Sequence, residues 1–250
     1  MVPFWDQQVE APEVSMIIPV SPIHHAFMIG FEDGTIRPQD NMTRAEVATI
    51  LFRLIDDQYR ASIWSTTNNF SDVNEGDWFN NAVSTMVNAG VIAGMPDGTF
   101  QPNRAITRGE LAAIMSRFFA QYPGLANNAF DDVGGHWAQD SINMLAAAGF
   151  VTGYGDGTFA PDQLITRAEV AALINRVLMR NPNPNNQILP GMRTWPDNSP
   201  GAWYTLYLLE ATNTTTYTLC EDGFFKTWLT VVPARNWTAL ERPNATPHSR

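Results

Sequence analysis

One short pattern occurs three times in this chain: Gly-x-x-Asp-Gly-Thr, then Pro, then Thr-Arg-x-Glu a few residues on. The copies run Gly30-Phe-Glu-Asp-Gly-Thr-Ile-Arg-Pro38 to Thr43-Arg-Ala-Glu46, Gly94-Met-Pro-Asp-Gly-Thr-Phe-Gln-Pro102 to Thr107-Arg-Gly-Glu110, and Gly153-Tyr-Gly-Asp-Gly-Thr-Phe-Ala-Pro161 to Thr166-Arg-Ala-Glu169. A period of about 60 residues held this closely means one supersecondary unit used three times, so fold and function must both be read per repeat.

Each Thr-Arg-x-Glu predicts a helix start. Threonine and the glutamate three residues later form a capping box, in which the hydroxyl accepts from the N3 amide and the carboxylate from the N-cap amide. Apolar residues then follow at helical spacing: Val47, Ile50, Leu51, Leu54; Leu111, Ile114, Met115, Phe118; Val170, Leu173, Ile174, Val177. Upstream of the second and third copies, Phe70-Ser-Asp72 with Trp78 and Phe130-Asp-Asp132 with Trp137 lead a further helix, closed by Gly90 or Gly149. The first copy lacks this half, because His24 to Gly30 is too short to supply it. It reappears downstream as Trp195-Pro-Asp197 and Trp203, beyond the Asn/Pro-rich stretch from Asn181 to Asn186. Either the C-terminal helix closes the array by completing the first repeat, or it is a truncated fourth repeat. Closure is preferred, since an unpaired half would leave apolar faces wet at both ends.

In combination these motifs resemble S-layer homology domains, the modules that hold bacterial surface proteins on the cell wall, over about residues 23–213. The resemblance implies a mainly α fold, a pseudo-threefold array of three helix-turn-helix repeats around a central helical bundle. The expected layout is an extended arm or linker over 1–22, the second half of repeat 1 over 23–64, repeat 2 over 65–124 and repeat 3 over 125–180. A linker and the completing helix then occupy 181–213, and an extension occupies 214–250, with alternation about Asp222-Gly223 that predicts a hairpin. The resemblance further implies that grooves between repeats bind a secondary cell-wall polysaccharide, in known members often one bearing pyruvylated N-acetylmannosamine. Met42 before Thr43, Gly109 in place of Ala and the displaced first half depart from the pattern.

Composition narrows the partners. A net charge of −10 and a pI near 4.7 argue against nucleic acid. Lys226 is the sole lysine, a bias that favours planar recognition of carboxylate or phosphate, or reflects genomic preference alone. A lone Cys220 excludes an internal disulfide framework. No apolar run approaches the roughly 20 residues of a membrane helix, so no membrane insertion is expected. The N-terminus has no secretory pattern, so the chain either stays inside or is a fragment. The Asp-Gly-Thr turns lack the alternating oxygens of an EF-hand, His24, His25 and His136 are not at metal-ligand spacing, and no paired carboxylates or hydrolase or nucleotide fingerprints stand out. No active site, metal or cofactor is expected.

Arg44, Arg108 and Arg167 open their helices where the macrodipole disfavours a cation by about 0.3–1 kcal/mol. From the residues alone they either pair with a turn aspartate (Asp33, Asp97, Asp156) or with Asp72 and Asp132, or they join the helix N-terminus in receiving an anion. The resemblance favours the second, with the corollary that replacing all three leaves the fold intact. Gly34, Gly98 and Gly157 follow aspartate in turns needing positive φ and shape the groove. Trp78, Trp137 and Trp203 divide between core packing, the preferred reading, and sugar stacking. Asp72, Asp132 and Asp197 divide between N-capping and accepting from sugar hydroxyls. The resulting expectation is a non-catalytic anchoring module on the surface of a Gram-positive-type bacterium. It would bind a peptidoglycan-attached polysaccharide and carry a missing cargo domain or contact other surface-layer subunits. The alternative is a structural self-assembly or protein-interaction module.

Overall fold

A computed structural model of the chain describes residues 16–21, 23–119, 128–221, 223–242 and 244–246. Most of the arm expected over 1–22, and Asp222 of the hairpin, lie outside the described residues. The chain forms two compact units, Met1–Ile17 with Arg108–Gln163 and Ile18–Thr107 with Leu164–Arg250. Helices predominate, beside one three-stranded sheet.

In the first unit, α4 (Arg108–Ser116) packs on α5 (Gln139–Ala147). Leu111, Ile142 and Leu145 are fully buried, and Phe119 stacks on Phe150 at 5.2 Å. Gly149 adopts φ +73° just beyond the α5 C-cap Ala148, the left-handed exit expected of a helix-stopping glycine.

The second unit holds α1 (Arg44–Leu54), α2 (Asp57–Ser62), α3 (Asn80–Asn88), α6 (Arg167–Val177), α7 (Thr205–Thr212) and α8 (Trp237–Glu241). The capping boxes expected at Thr43/Glu46 and Thr166/Glu169 are both formed. Helix α3 covers α1, and α7 covers α6. The α7 helix therefore shields the Val170–Val177 stripe, not the Val47–Leu54 stripe that closure by a C-terminal helix would have suggested. The stretches entering the repeated helices meet in a closed circuit. Met42 N donates to Ile165 O at 3.0 Å, Ile165 N to Ile106 O at 3.0 Å, and Ile106 N to Met42 O at 2.9 Å. All three side chains are buried, so Met42 fills the isoleucine position without loss of packing.

Beyond α7, β2 (Thr215–Leu219) and β3 (Phe225–Val231) pair antiparallel. Asn181–Pro182, inside the Asn/Pro-rich stretch, forms β1, parallel to β3, which makes β3 the central strand. The extension is fastened to α1 by a buried bidentate pair, Arg53 Nε to Glu241 Oε1 at 2.5 Å and Nη2 to Oε2 at 2.8 Å. Asn81 of α3 adds a bond to the Arg242 carbonyl at 2.7 Å.

Candidate functional site

The three Asp-Gly-Thr turns are built alike. The aspartate Oδ1 accepts from the backbone N–H and the hydroxyl of the threonine two residues on: 3.0 and 2.6 Å at Asp33, 3.0 and 2.7 Å at both Asp97 and Asp156. These bonds to the charged form hold all three carboxyls below the usual range, the threonine hydroxyl contributing most, with Asp33, which also pairs with Arg37, at about 2. Gly34, Gly98 and Gly157 take φ of +82°, +82° and +90°. A side chain at Gly34 or Gly98 would meet open space, so backbone conformation alone requires glycine there.

The leading Gly of each motif has another reason. A Cβ on Gly30, Gly94 or Gly153 would lie 2.0, 2.1 or 2.5 Å from the ring of Trp195, Phe70 or Phe130. The aromatic of Phe-x-Asp, or Trp-x-Asp, thus sits directly on the glycine. The aspartate two residues later holds two successive amides of the same turn. Asp72 accepts from Phe100 N at 2.7 Å and Gln101 N at 2.8 Å, and Asp132 from Phe159 N at 2.8 Å and Ala160 N at 2.7 Å. Asp197 accepts from Ile36 N at 3.0 Å and Arg37 N at 2.7 Å, across 160 residues of chain. The second amide in each pair belongs to a non-glycine residue at positive φ: Gln101 +58°, Ala160 +53°, Arg37 +52°. A left-handed non-glycine residue costs about 1–2 kcal/mol, which two charge-assisted hydrogen bonds offset. These aspartates are therefore turn clamps; they cap no helix, and both oxygens are engaged by backbone.

The arginines cross to the turn of the next repeat. Arg44 Nε donates to Phe100 O at 2.8 Å and its Nη2 to Ala93 O at 2.6 Å. Arg108 Nε donates to Phe159 O at 2.8 Å. Arg167 Nε donates to Ile36 O at 2.8 Å and Nη2 to Ile29 O at 3.0 Å, while Nη1 meets Glu46 Oε1 at 3.0 Å. Each guanidinium also lies over an aromatic ring of that turn, Phe100, Phe159 with Tyr154, or Phe31. Arg44 and Arg167 are 4% exposed. The first-turn amides are occupied as well. Arg44 N and Ala45 N donate to Arg104 O and Pro102 O, Arg108 N and Gly109 N to Gln163 O and Pro161 O, and Arg167 N and Ala168 N to Asp40 O and Pro38 O. This corrects the expected pairing. The arginines pair chiefly with carbonyls rather than with the turn aspartates, and replacing all three would take hydrogen-bond donors from the carbonyls of tight turns, a cost the expectation of an intact fold did not include.

The tryptophans depart furthest from expectation. Trp78, Trp137 and Trp203 are 53%, 65% and 56% exposed, so the preference for core packing is overturned. Phe79 and Tyr204 are the N-caps of α3 and α7, which leaves Trp78 and Trp203 ahead of the helix and outside its apolar stripe. Three exposed indoles at equivalent positions form a recurrent apolar surface feature. At α4 the link to the arginine helix is direct. His136, adjacent to Trp137, donates from Nε2 to Asp162 at 3.2 Å and accepts at Nδ1 from Ala138 N at 3.1 Å. Its Cε1 would lie 3.1 Å from a Cβ on Gly109, so the glycine at this alanine position makes room for the imidazole. Among the described residues, no group of three or more His, Cys, Asp or Glu could hold a metal ion, and no helix is long and apolar enough to cross a membrane.

Residues 24–48, 69–112 and 129–171 match the S-layer homology domain. The chain is 39% identical over 172 residues to cell surface glycoprotein 1 of Acetivibrio thermocellus, an alignment covering 64% of this chain and 7% of that protein. It is 35% identical over 164 residues to the cellulosome-anchoring protein of the same organism, covering 64% of this chain and 37% of that protein. Amylopullulanase of Thermoanaerobacterium thermosulfurigenes is 34% identical over 165 residues, 62% of this chain and 8% of the enzyme. The chain thus spans well under half the length of these relatives. The three matched segments each contain one clamped turn and the start of the helix that follows it, and together they identify an S-layer homology region in the chain.

Proposed function

We propose that the chain is a cell-wall anchoring module, acting by adhesion rather than catalysis, that binds an anionic polysaccharide with its three tryptophan-bearing grooves. The observation that carries this reading is the threefold recurrence of an exposed indole, at Trp78, Trp137 and Trp203, ahead of helices that pack on the arginine-bearing ones. An indole left in water at the same place three times over offers a stacking face for sugar C–H surfaces, which core packing would have hidden. Arg44, Arg108 and Arg167 hold each groove wall through their bonds to the turn carbonyls. Asp72, Asp132 and Asp197 fix the turn, and Gly34, Gly98 and Gly157 give it its bend. A secondary polymer attached to peptidoglycan, pyruvylated or otherwise acidic, is the partner this chemistry suits, on the outer surface of a Gram-positive-type cell. Both the cell surface glycoprotein and the cellulosome-anchoring protein favour that placement by their names, and amylopullulanase favours an anchor joined to separate cargo.

The same reading includes closure of the array. The α7 helix relates to α6 as α3 does to α1, and Asp197 and Trp195 treat the first turn as Asp72 and Phe70 treat the second. With the Met42–Ile165–Ile106 circuit, this supports a cyclic, pseudo-threefold order in which residues 195–213 complete the first repeat. The test is sedimentation with purified cell walls, native or stripped of secondary polymer. The chain should co-sediment with native walls only. The Trp78→Ala/Trp137→Ala/Trp203→Ala variant should fold normally and lose at least tenfold in affinity, given about 1–3 kcal/mol for each lost stacking contact. Equal binding to stripped walls, or by the triple variant, would overturn the reading; the first would instead favour self-assembly or protein binding.

A further inference from the structure

The start of the first repeat and the C-terminal segment enclose a cleft of about 580 Å³ that contains none of Arg44, Arg108 and Arg167. Its inner wall includes Trp195 and Trp237, 5% and 4% exposed. Both indole N–H groups are spent inside the protein, Trp195 Nε1 on Thr212 Oγ1 at 3.1 Å and Trp237 Nε1 on Ala26 O at 2.7 Å. A guanidinium lies over each ring, Arg193 at 4.0 Å from the Trp195 centroid and Arg235 at 4.7 Å from that of Trp237. Arg235 is paired with Asp57 at 2.7 Å, a carboxylate it shares with Arg60. Arg193 is not. Its main chain is pinned on both sides by Asn213, N to Oδ1 at 2.7 Å and O from Nδ2 at 3.1 Å, yet its guanidinium has no hydrogen-bond acceptor among the described residues.

Arg193 is exposed, and the unused N–H edge of its guanidinium, lying over the buried Trp195 ring, matches a carboxylate bidentately. The mouth of the cleft is apolar, with Ile29 44% and Val232 38% exposed. A peptide strand is disfavoured at Val232, whose N already donates to Thr214 O at 2.9 Å. A compact ligand carrying one carboxylate and an apolar ring face remains, and the volume is within the range of about 300–1,000 Å³ typical of small-ligand sites.

We propose that this cleft is a second binding site, which takes an acidic sugar residue with its carboxylate on Arg193 and its C–H face against Ile29 and Val232. The proposal does not depend on the wall-binding reading, since the two sites share no arginine or tryptophan. The test is titration of the full chain with glucuronate, glucose and inorganic phosphate, read from the indole ¹H–¹⁵N resonances. Glucuronate should shift the Trp195 and Trp237 signals saturably, and glucose or phosphate at equal concentration should not. Arg193→Gln should weaken the response at least tenfold while changing the sugar-free spectrum only at Trp195, over whose ring that guanidinium lies, because it makes no hydrogen bond to the protein. Val232→Glu, which sets a like charge at the exposed mouth, should weaken it as well. Absence of a saturable shift, equal response to glucose or phosphate, or undiminished affinity in both variants would overturn the proposal. So would shifts confined to Trp78, Trp137 and Trp203, an outcome that leaves the groove reading standing.

Discussion

The repeat turns and the layer beneath the C-terminal sheet solve the same problem, how to hold charge inside a fold, in opposite ways. At the turns, Asp72, Asp132 and Asp197 each receive two backbone amides, and Asp33, Asp97 and Asp156 each receive an amide and a hydroxyl. Beneath the sheet, Glu210 is fully buried with the Trp228 indole N–H on Oε2, while Oε1 has no hydrogen-bond partner. His24 Nε2 lies 3.3 Å from that oxygen without hydrogen-bond alignment, and Asn181 and Thr215 nearby also keep unpartnered side-chain atoms. Burial pushes the Glu210 carboxyl up to about 7 against the pull of Trp228, Lys226 and Arg180, and it pushes Lys226 down to about 8, with Arg180 adding to the effect. Burial, then the charges of Arg180 and Lys226, holds His24 well below its ordinary value, so it is neutral. Charge met by short local hydrogen bonds is insensitive to pH near neutrality, whereas charge met by burial is not. The repeated part of the molecule is built the first way and the attached part the second.

The largest effect should come from removing the attached part. A chain ending at Asn181 loses α7, Trp195 and Asp197, and bares the α6 face. Burial of Leu208, Leu209 and Trp195 alone is worth about 5–8 kcal/mol, comparable to the stability of a whole domain. The truncated chain should unfold far below the parent temperature or aggregate, as read by circular dichroism. Cooperative melting at the parent temperature would mean that the repeats do not need the C-terminal half, and the contrast between the two regions would lose its meaning.

A smaller effect sharpens the contrast through pH. The folded pKa of Glu210 stands above its ordinary 4.5, so its contribution to stability is complete below about pH 4.5 and lost as pH rises through about 7. Lys226 works in the opposite sense, its contribution complete above 10.5 and lost as pH falls through about 8. The turn aspartates titrate below 3.8, and so all act outside the Glu210 window. Over the same window His24, held below its ordinary value, makes stability rise with pH and opposes this loss, so Glu210→Gln should make urea-unfolding stability rise more steeply, or fall less, from pH 4.5 to 7 than in the parent. Parallel profiles would show that the buried carboxyl is not the source.

The repeated region was legible in sequence because its rules are local. The capping boxes at Thr43 and Thr166 and the positive-φ turns at Gly34, Gly98 and Gly157 follow from residues within four positions of one another. The partners of Arg44, Arg108 and Arg167 were not legible, because they are main-chain carbonyls about 50 to 130 residues away, and a carbonyl leaves no mark in a sequence. The exposure of Trp78 was missed for a nearer reason. Counted as the first residue of an amphipathic helix it falls on the apolar stripe, but α3 begins at Asn80. Helix α2 carried a readable signal in its N-cap, Asp56, whose carboxylate accepts from Gln58 N and Tyr59 N. The two-residue β1 carried none.

The most direct measurement on the central claim, that the C-terminal half serves the first repeat as the other leading halves serve theirs, compares Asp72→Ala with Asp197→Ala by denaturant unfolding of the full chain. Each substitution strips a turn of two hydrogen bonds to a charged acceptor, 2.7 and 2.8 Å at Asp72, 3.0 and 2.7 Å at Asp197. Both should cost about 1–3 kcal/mol, and the two losses should agree within about 1 kcal/mol. A stability loss confined to Asp72→Ala, with Asp197→Ala indistinguishable from the parent, would contradict the claim.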